Sequence, residues 1–427
     1  MAHVRVASLF TILLAASITA QVVVPTIPQP DNRFLRLTRT EAIDEALARN
    51  PAIAAARAQV EQARAGVTIA GAFADPAIAA DVAGQTSALN PASRNASDIG
   101  AGVILPFPGK RGLRRDVAVG VLRAAEFNVK QLQQQIASQA AQAYDALLVA
   151  IRHREDLQQN RDLANDFVNK TQARFLAGTV ARVDVLRAQT DLASAENQLI
   201  ANDGAIANAR ATLNRILGRM GGALLQPTDQ LTVPAAIVDV ETLERVAATS
   251  RPEIQRINAQ LVAAQAATRL ARQYWAPDFN VTLTRNAATG TPTTFTTGVG
   301  IGVPLFFLQH QRGEVAQAFH RETELAANIA DIRSQISLDV QSAYTAASTA
   351  LRQAVFIRDQ LLPEANEVYR VASVSYGLGG SSALDLLDAK RTLLDAERQY
   401  VDALGAVNDA LAALELATGA PLPRGNQ

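Results

Sequence analysis

The sequence predicts a mainly α-helical chain, duplicated in tandem, in which each copy adds one β-hairpin suited to a membrane barrel. Three observations carry this: an internal repeat with a constant offset, two long stretches almost free of helix breakers, and two pairs of segments with period-two alternation.

The repeat comes first because it sets the architecture. Asn50-Pro51 matches Arg251-Pro252, Pro76 matches Pro277 and Arg111-Gly112 matches Arg312-Gly313, all at an offset of 201 residues. Gly178 with Gly379, Gly204 with Gly405, and Leu217-Gly218 with Thr418-Gly419 keep the same offset of 201, while Ala143-Tyr144 pairs with Ala343-Tyr344 at 200, so small compensating insertions are expected. The implied organisation is a first repeat over 38–218, a linker over 219–238, a second repeat over 239–419 and a short tail over 420–427. The linker carries Gly221, Gly222, Pro227 and Pro234, a composition that suits a loop.

Within each repeat the expected order is a short helix, a hairpin, a long helix and a return helix. Thr38 or Thr40 caps the first helix. Phe279, Val281 and Leu283 alternate with Asn280, Thr282 and Thr284, and after a Thr/Gly/Pro loop Val299, Ile301 and Val303 alternate with Gly300 and Gly302. The first copy repeats this through Ile78, Ala80 and Val82, a polar loop at Asn90–Arg94, then Ile99, Ala101, Val103 and Leu105, giving four strands in all. From Leu113 to Ala177 there is no proline and the only glycine is Gly120, which predicts a continuous helix of roughly 100 Å. Its counterpart after Gly313 carries Pro363, where a kink or local break is expected.

Composition removes several function classes. Forty basic and forty acidic side chains leave no net charge, so nucleic acid is a poor partner. With no cysteine there is no disulfide framework, thiolate metal site or cysteine nucleophile. The histidines after His3, namely His153, His310 and His320, lack metal-ligand spacing, so neither a metal site nor a cofactor is expected. Gly298-Val-Gly300-Ile-Gly302 lies inside an alternating strand, which argues against a dinucleotide loop, and no catalytic constellation emerges. Arg5, the apolar run Leu9–Leu14 and the small residues up to Ala20 have the order of a secretory signal peptide over 1–20, followed by an extended segment over 21–37. No later apolar stretch reaches the ~20 residues a helical span needs, so any membrane residence must use strands or not occur.

Four strands cannot close a membrane barrel, because single-chain barrels start at about eight and open edges in lipid leave backbone groups unsatisfied. Closure therefore requires several copies around one axis.

The order of elements, given twice, resembles the TolC family of outer-membrane factors over nearly the whole mature chain. The most specific matches are Arg174-Phe175-Leu-Ala-Gly178 with Val183-Asp184-Val185, and Tyr376-Gly-Leu-Gly379 with Leu384-Asp385-Leu-Leu-Asp388-Ala389. Pro106-Phe-Pro-Gly109-Lys110-Arg111-Gly112 is similar to the cobalt-zinc-cadmium (CzcC-like) cation-efflux branch. The resemblance implies a homotrimer whose strands form a twelve-stranded barrel in the outer membrane, continued by an α-helical barrel through the periplasm. It implies a non-enzymatic exit duct of a tripartite efflux system for cations or small toxic compounds, working with a periplasmic adaptor, an inner-membrane pump of the RND type and outer-membrane lipid.

The resemblance also assigns residues. Asp385 and Asp388, three apart on one helix face, line a constricted entrance and would stack two acidic rings; Asp385, three after Ser382, equally suits a capping box. Tyr376 and Asp184 match positions that latch the closed entrance, although Ser381 stands where the best-known member has an arginine. Gly178 and Gly379, with Arg174 and Phe175, form tip turns on which adaptor hairpins dock; an ordinary helix C-cap has the same geometry. The competing readings are a periplasmic helical adaptor or scaffold, and an exit duct for type I protein secretion.

Overall fold

The computed structural model describes residues 34–87, 90–219, 223–234, 236–288, 292–303 and 307–422. The expected signal peptide at 1–20, the segment 21–33 and the tail from 423 onward lie outside them.

Strand β1 (Phe34–Leu37) leads into α1 (Arg39–Arg49). Thr38 caps this helix through a capping box: its hydroxyl accepts from the Glu41 N–H at 3.2 Å, and the Glu41 carboxylate accepts from the Thr38 N–H at 2.8 Å. A second helix, α2 (Pro51–Gly71), follows immediately, between the short helix and the hairpin, where the sequence reading placed no element. Pro51 explains the difference. Proline is favoured in a helix's first turn, where its missing N–H has no partner to lose, and Asn50 caps the new helix by accepting from the Ala52 N–H at 2.9 Å. The same punctuation recurs later, with Asp239 capping α5 (Val240–Ser250) and Pro252 opening α6 (Pro252–Arg272).

The hairpin strands are β2 (Ala77–Ser87) with β3 (Asn90–Leu105), and β5 (Asp278–Ala288) with β6 (Thr294–Gly302). They form one antiparallel sheet in the order β2-β3-β5-β6, so the two hairpins are joined through β3 and β5. Asn90–Arg94, expected as a loop, instead begins β3 and pairs with the end of β2, with a register irregularity between Gln85 and Ser87. Among the described residues β3 meets β5 from Ala96 onward, and Pro91 lies in the stretch before that. The described strands number six, not four. β1 pairs in parallel with β4 (Leu224–Pro227), a strand inside the segment expected to be a linker.

Between the sheet and the far tip run the long helices. α3 (Lys110–Leu176) is continuous for 67 residues and returns as α4 (Arg182–Ile216). Gly120 sits where α3 crosses α6: a β-carbon there would lie 2.5 Å from the Ala263 side chain, so only glycine allows this approach. In the second half, α7 (Phe307–Phe356) passes through a π turn (Ile357–Leu361) into α8 (Leu362–Leu378), then returns as α9 (Ala383–Thr418). The break therefore starts upstream of Pro363, where the sequence reading placed it. In the π turn the Leu362 N–H reaches back to the Ile357 carbonyl, which lodges one extra residue in the helix just before a proline that has no N–H to offer. The turn lies between Ala343-Tyr344, matched at 200, and Gly379, matched at 201, so it accommodates the one-residue change of register.

The core at mid-length centres on Tyr144, Leu147 and Leu213, packed with Ile53, Ala140, Leu217 and Leu225. The buried Tyr144 hydroxyl donates to the Leu37 carbonyl at 3.0 Å and accepts from the Thr228 and Asp229 N–H groups at 3.2 and 3.3 Å. One phenol thus fastens the β1–β4 pair to α3. Burial raises its pKa to about 12.

Candidate entrance site at the helical tip

Two turns close the tip. At the first, α3 ends in a glycine turn: the Gly178 N–H donates to the Phe175 carbonyl at 2.9 Å and the Thr179 N–H to the Arg174 carbonyl at 3.0 Å. At the second, the Gly379 N–H donates to Tyr376 at 3.1 Å and the Gly380 N–H to Ser375 at 2.8 Å. Both Gly178 (φ 74°) and Gly379 (φ 84°) adopt the left-handed conformation, with nothing within 4 Å of an added β-carbon; conformation rather than space demands glycine.

The tip is held by a small aromatic cluster. Tyr376 is buried, its ring tilted against Phe167 at 5.7 Å, with Ala188, Ala383, Leu386 and Leu387 completing the cluster. The Arg174 guanidinium lies over the Tyr376 ring at 4.6 Å and donates to the Tyr376 carbonyl at 3.1 Å, clamping α3 to α8. The Tyr376 hydroxyl is buried without a hydrogen-bond partner among the described residues. Phe175 is half-buried, whereas Leu176 and Leu378 project into solvent with 78% and 85% of their surface exposed.

Asp184 stands in the first turn of α4, where a carboxylate suits the positive end of the helix dipole, and pairs with Arg187 at 3.5 Å. Among the described residues it makes no hydrogen bond to Tyr376. Asp385 forms the capping box of α9: its carboxylate accepts from the Ser382 N–H at 3.0 Å and hydroxyl at 2.8 Å. The Ser382 hydroxyl and backbone hydrogen bonds hold the Asp385 pKa below the ordinary carboxylate value. Asp388, one turn on, is exposed and makes no ion pair among the described residues. Asp385 and Asp388 share an exposed region of α9, whereas its buried side carries Leu386, Leu387 and Lys390.

Sequence reasoning missed a second clamp. Lys390 on α9 donates to Asp191 on α4 at 2.8 Å, with 7% and 17% of the two side chains exposed. The available signal was weak: Lys390 is one of only four lysines, set within the apolar pattern of α9. Beyond this pair, α3, α4 and α9 enclose a cleft of about 980 Å³, whose walls include His153, Asp156, Arg187, Asp191 and Glu397. Burial raises the pKa of Asp156, and burial with the nearby Asp156 charge raises that of Glu397.

The opposite end has a different chemistry. Cross-strand pairs Val103 with Val281, Leu105 with Phe279, and Phe279 with Ile301 place large apolar side chains on one face of the sheet. The other face carries Asn280, Thr282 and Thr284 opposite Gly100, Gly102, Gly298 and Gly300. Among the described residues no helix is long and apolar enough to cross a membrane, and no cluster of three or more metal-ligating side chains occurs.

Known proteins match this arrangement. A family model described as outer membrane efflux protein matches residues 42–219 and 244–420. The cobalt-zinc-cadmium resistance protein CzcC of Cupriavidus metallidurans is 22% identical over 285 residues, covering 67% of this chain and 68% of that protein. The pyoverdine export outer membrane protein OpmQ of Pseudomonas aeruginosa is 25% identical over 377 residues, covering 82% and 78% of the respective chains. Among solved structures, a CusC channel superposes with a TM-score of 0.77 at 20% identity, covering 93% of this chain and 98% of that one. With the family model matching both halves of the chain, and with the same fold in a solved channel, the chain belongs to the outer membrane efflux protein family.

Proposed function

We propose that this chain is the outer-membrane exit duct of a tripartite efflux system, a passive channel and not an enzyme. The observation that carries the reading is the four-stranded sheet with one apolar face, set at the end of helices about 100 Å long and open at β2 and β6. A membrane sheet cannot keep open edges. Three copies, each a tandem-duplicated protomer, pair β6 of one with β2 of the next into a twelve-stranded barrel, and the same rotation gathers α3, α4 and α7–α9 into a tube reaching through the periplasm.

At the far end of that tube, Asp388 and the outer oxygen of the capping Asp385 supply the negative charge of a narrow entrance, which favours cations. Tyr376 and Asp184 belong to the latch between neighbouring protomers, and the Gly178 and Gly379 turns, with Arg174 and Phe175, receive a periplasmic adaptor. The cargo is cations or small toxic compounds delivered by an inner-membrane pump of the RND type. The names of CzcC and OpmQ, one a cation resistance protein and one an exporter of pyoverdine, support small cargo without choosing between these.

The absence of native cysteine makes the barrel directly testable. Chains carrying one cysteine on β2 and one on β6, oxidised in membranes, should give covalent dimers and trimers when the two positions share a register across the seam. Cross-links that form only within one chain, or none at any register, would refute closure by neighbouring copies.

A further inference from the structure

The junction between sheet and helices carries a composition that neither the channel nor the entrance requires. The apolar rows Val103–Val281 and Leu105–Phe279 run out toward the helices into a ring pair, Phe107 with Trp275, at 6.1 Å. Trp275, the chain's single tryptophan, is 50% exposed. Nearby, Phe73 is 58% exposed and the Arg111 guanidinium lies over its ring at 4.1 Å.

Beside these rings positive charge predominates, with Asp278 the carboxylate that faces Arg114 as well as Lys110. Arg111, Arg114 and Arg115 share one face of α3 at i, i+3 and i+4, all exposed, and none is in an ion pair among the described residues. Arg272 adds a fourth exposed guanidinium at the end of α6. Asp75 and Asp116 are the opposing charges nearest in sequence. The first turn of α3 contains no acidic residue, although that is where a helix favours one, so these arginines are not placed for helix stability. Lys110 is accounted for separately: it donates to the Ala276 carbonyl at 2.6 Å and pairs with Asp278 at 3.0 Å, fixing α3 beside Trp275.

Amphipathic rings at the edge of an apolar face, followed by exposed arginines, match the boundary between acyl chains and phosphates. We propose that this junction is a docking surface for anionic phospholipid headgroups of the periplasmic leaflet, with Phe107 and Trp275 at the acyl boundary and Arg111, Arg114 and Arg115 on the headgroup phosphates. The proposal rests on the outer-membrane duct reading and adds the lipid class and the residues that select it.

Because Trp275 is the only tryptophan, its fluorescence reports on this junction alone. The mature full-length protein should be reconstituted into phosphatidylcholine vesicles containing a minor fraction of brominated phosphatidylglycerol, or the same fraction of brominated phosphatidylcholine. Conductance is recorded on the same preparations. Stronger quenching by the anionic lipid is expected, with a local enrichment of roughly fivefold for each arginine that engages a headgroup. The R111Q/R114Q/R115Q variant should bring the two lipids level while conductance persists.

Equal quenching by both lipids in the unaltered, conducting protein would overturn the proposal and leave the duct intact. That comparison needs no variant, so a misfolded triple substitution cannot obscure it. A preference unchanged in a conducting triple variant would also overturn the assignment to these arginines. Quenching by neither lipid, with no conductance, would remove both readings together.

Discussion

Lys390 and Asp191 form a nearly dry ion pair of 2.8 Å that ties α9 of one helical hairpin to α4 of the other. Together with the Arg174–Tyr376 clamp, it fixes how the two hairpins sit against each other at the tip. Removing one partner leaves the other charged and poorly solvated. K390A or D191A should therefore destabilise the protein by about 3 kcal/mol or more, whereas K390L/D191L should come close to neutral. Thermal melts of the unaltered protein and the three variants in detergent check this, and equal losses in single and double variants would count against it.

Asp385 and Asp388 should separate by role. D385N weakens the capping box, so it should lower the melting temperature as well as alter conduction. D388N lacks that structural partner and should leave the melting temperature alone while weakening block of conductance by divalent cations. Block that is unchanged in D388N would remove Asp388 from the pore.

Tyr144 should matter beyond its ring. Y144F keeps the packing but strips the hydroxyl from one carbonyl and two N–H groups, so a loss of about 1–3 kcal/mol is expected. A melting temperature equal to that of the unaltered protein would show that water replaces the hydroxyl at no cost.

Asp156 and Glu397 predict a pH dependence. Their folded pKa values are raised, so both favour the neutral form in the folded protein. Below the unfolded carboxylate pKa of about 4 both states are protonated and there is no penalty; as pH rises from there to the raised folded values the penalty develops, and above them it persists. D156N or E397Q should stabilise the protein at pH 7 by less than about 1 kcal/mol, since both groups retain solvent contact, and the gain should vanish near pH 4. Destabilisation by both variants at pH 7 would reverse the assigned sign.

Much of this design is legible in the sequence because it is carried by backbone chemistry. The stretch Leu113–Ala177, with no proline and Gly120 alone, marks α3, and Gly178 and Gly379 mark the turns, since only glycine adopts their conformation readily. Alternation marks β5 and β6, whose two faces meet different surroundings. Pro51 and Pro252 served only as markers of the repeat, so the α2 and α6 helices that they open were missed. β1 and β4 were missed because four-residue strands with a partner nearly two hundred positions away leave no local pattern. The Lys390–Asp191 pair joins two helices whose relative rotation is set by packing, which residue spacing along either helix does not encode.

The central claim is that three copies close one conducting barrel. The most direct measurement is single-channel recording of the purified mature protein in planar bilayers, with its mass determined in detergent. A trimer that inserts and gives small, cation-selective openings is the predicted result. A soluble monomer that never inserts would contradict the account and favour a periplasmic scaffold.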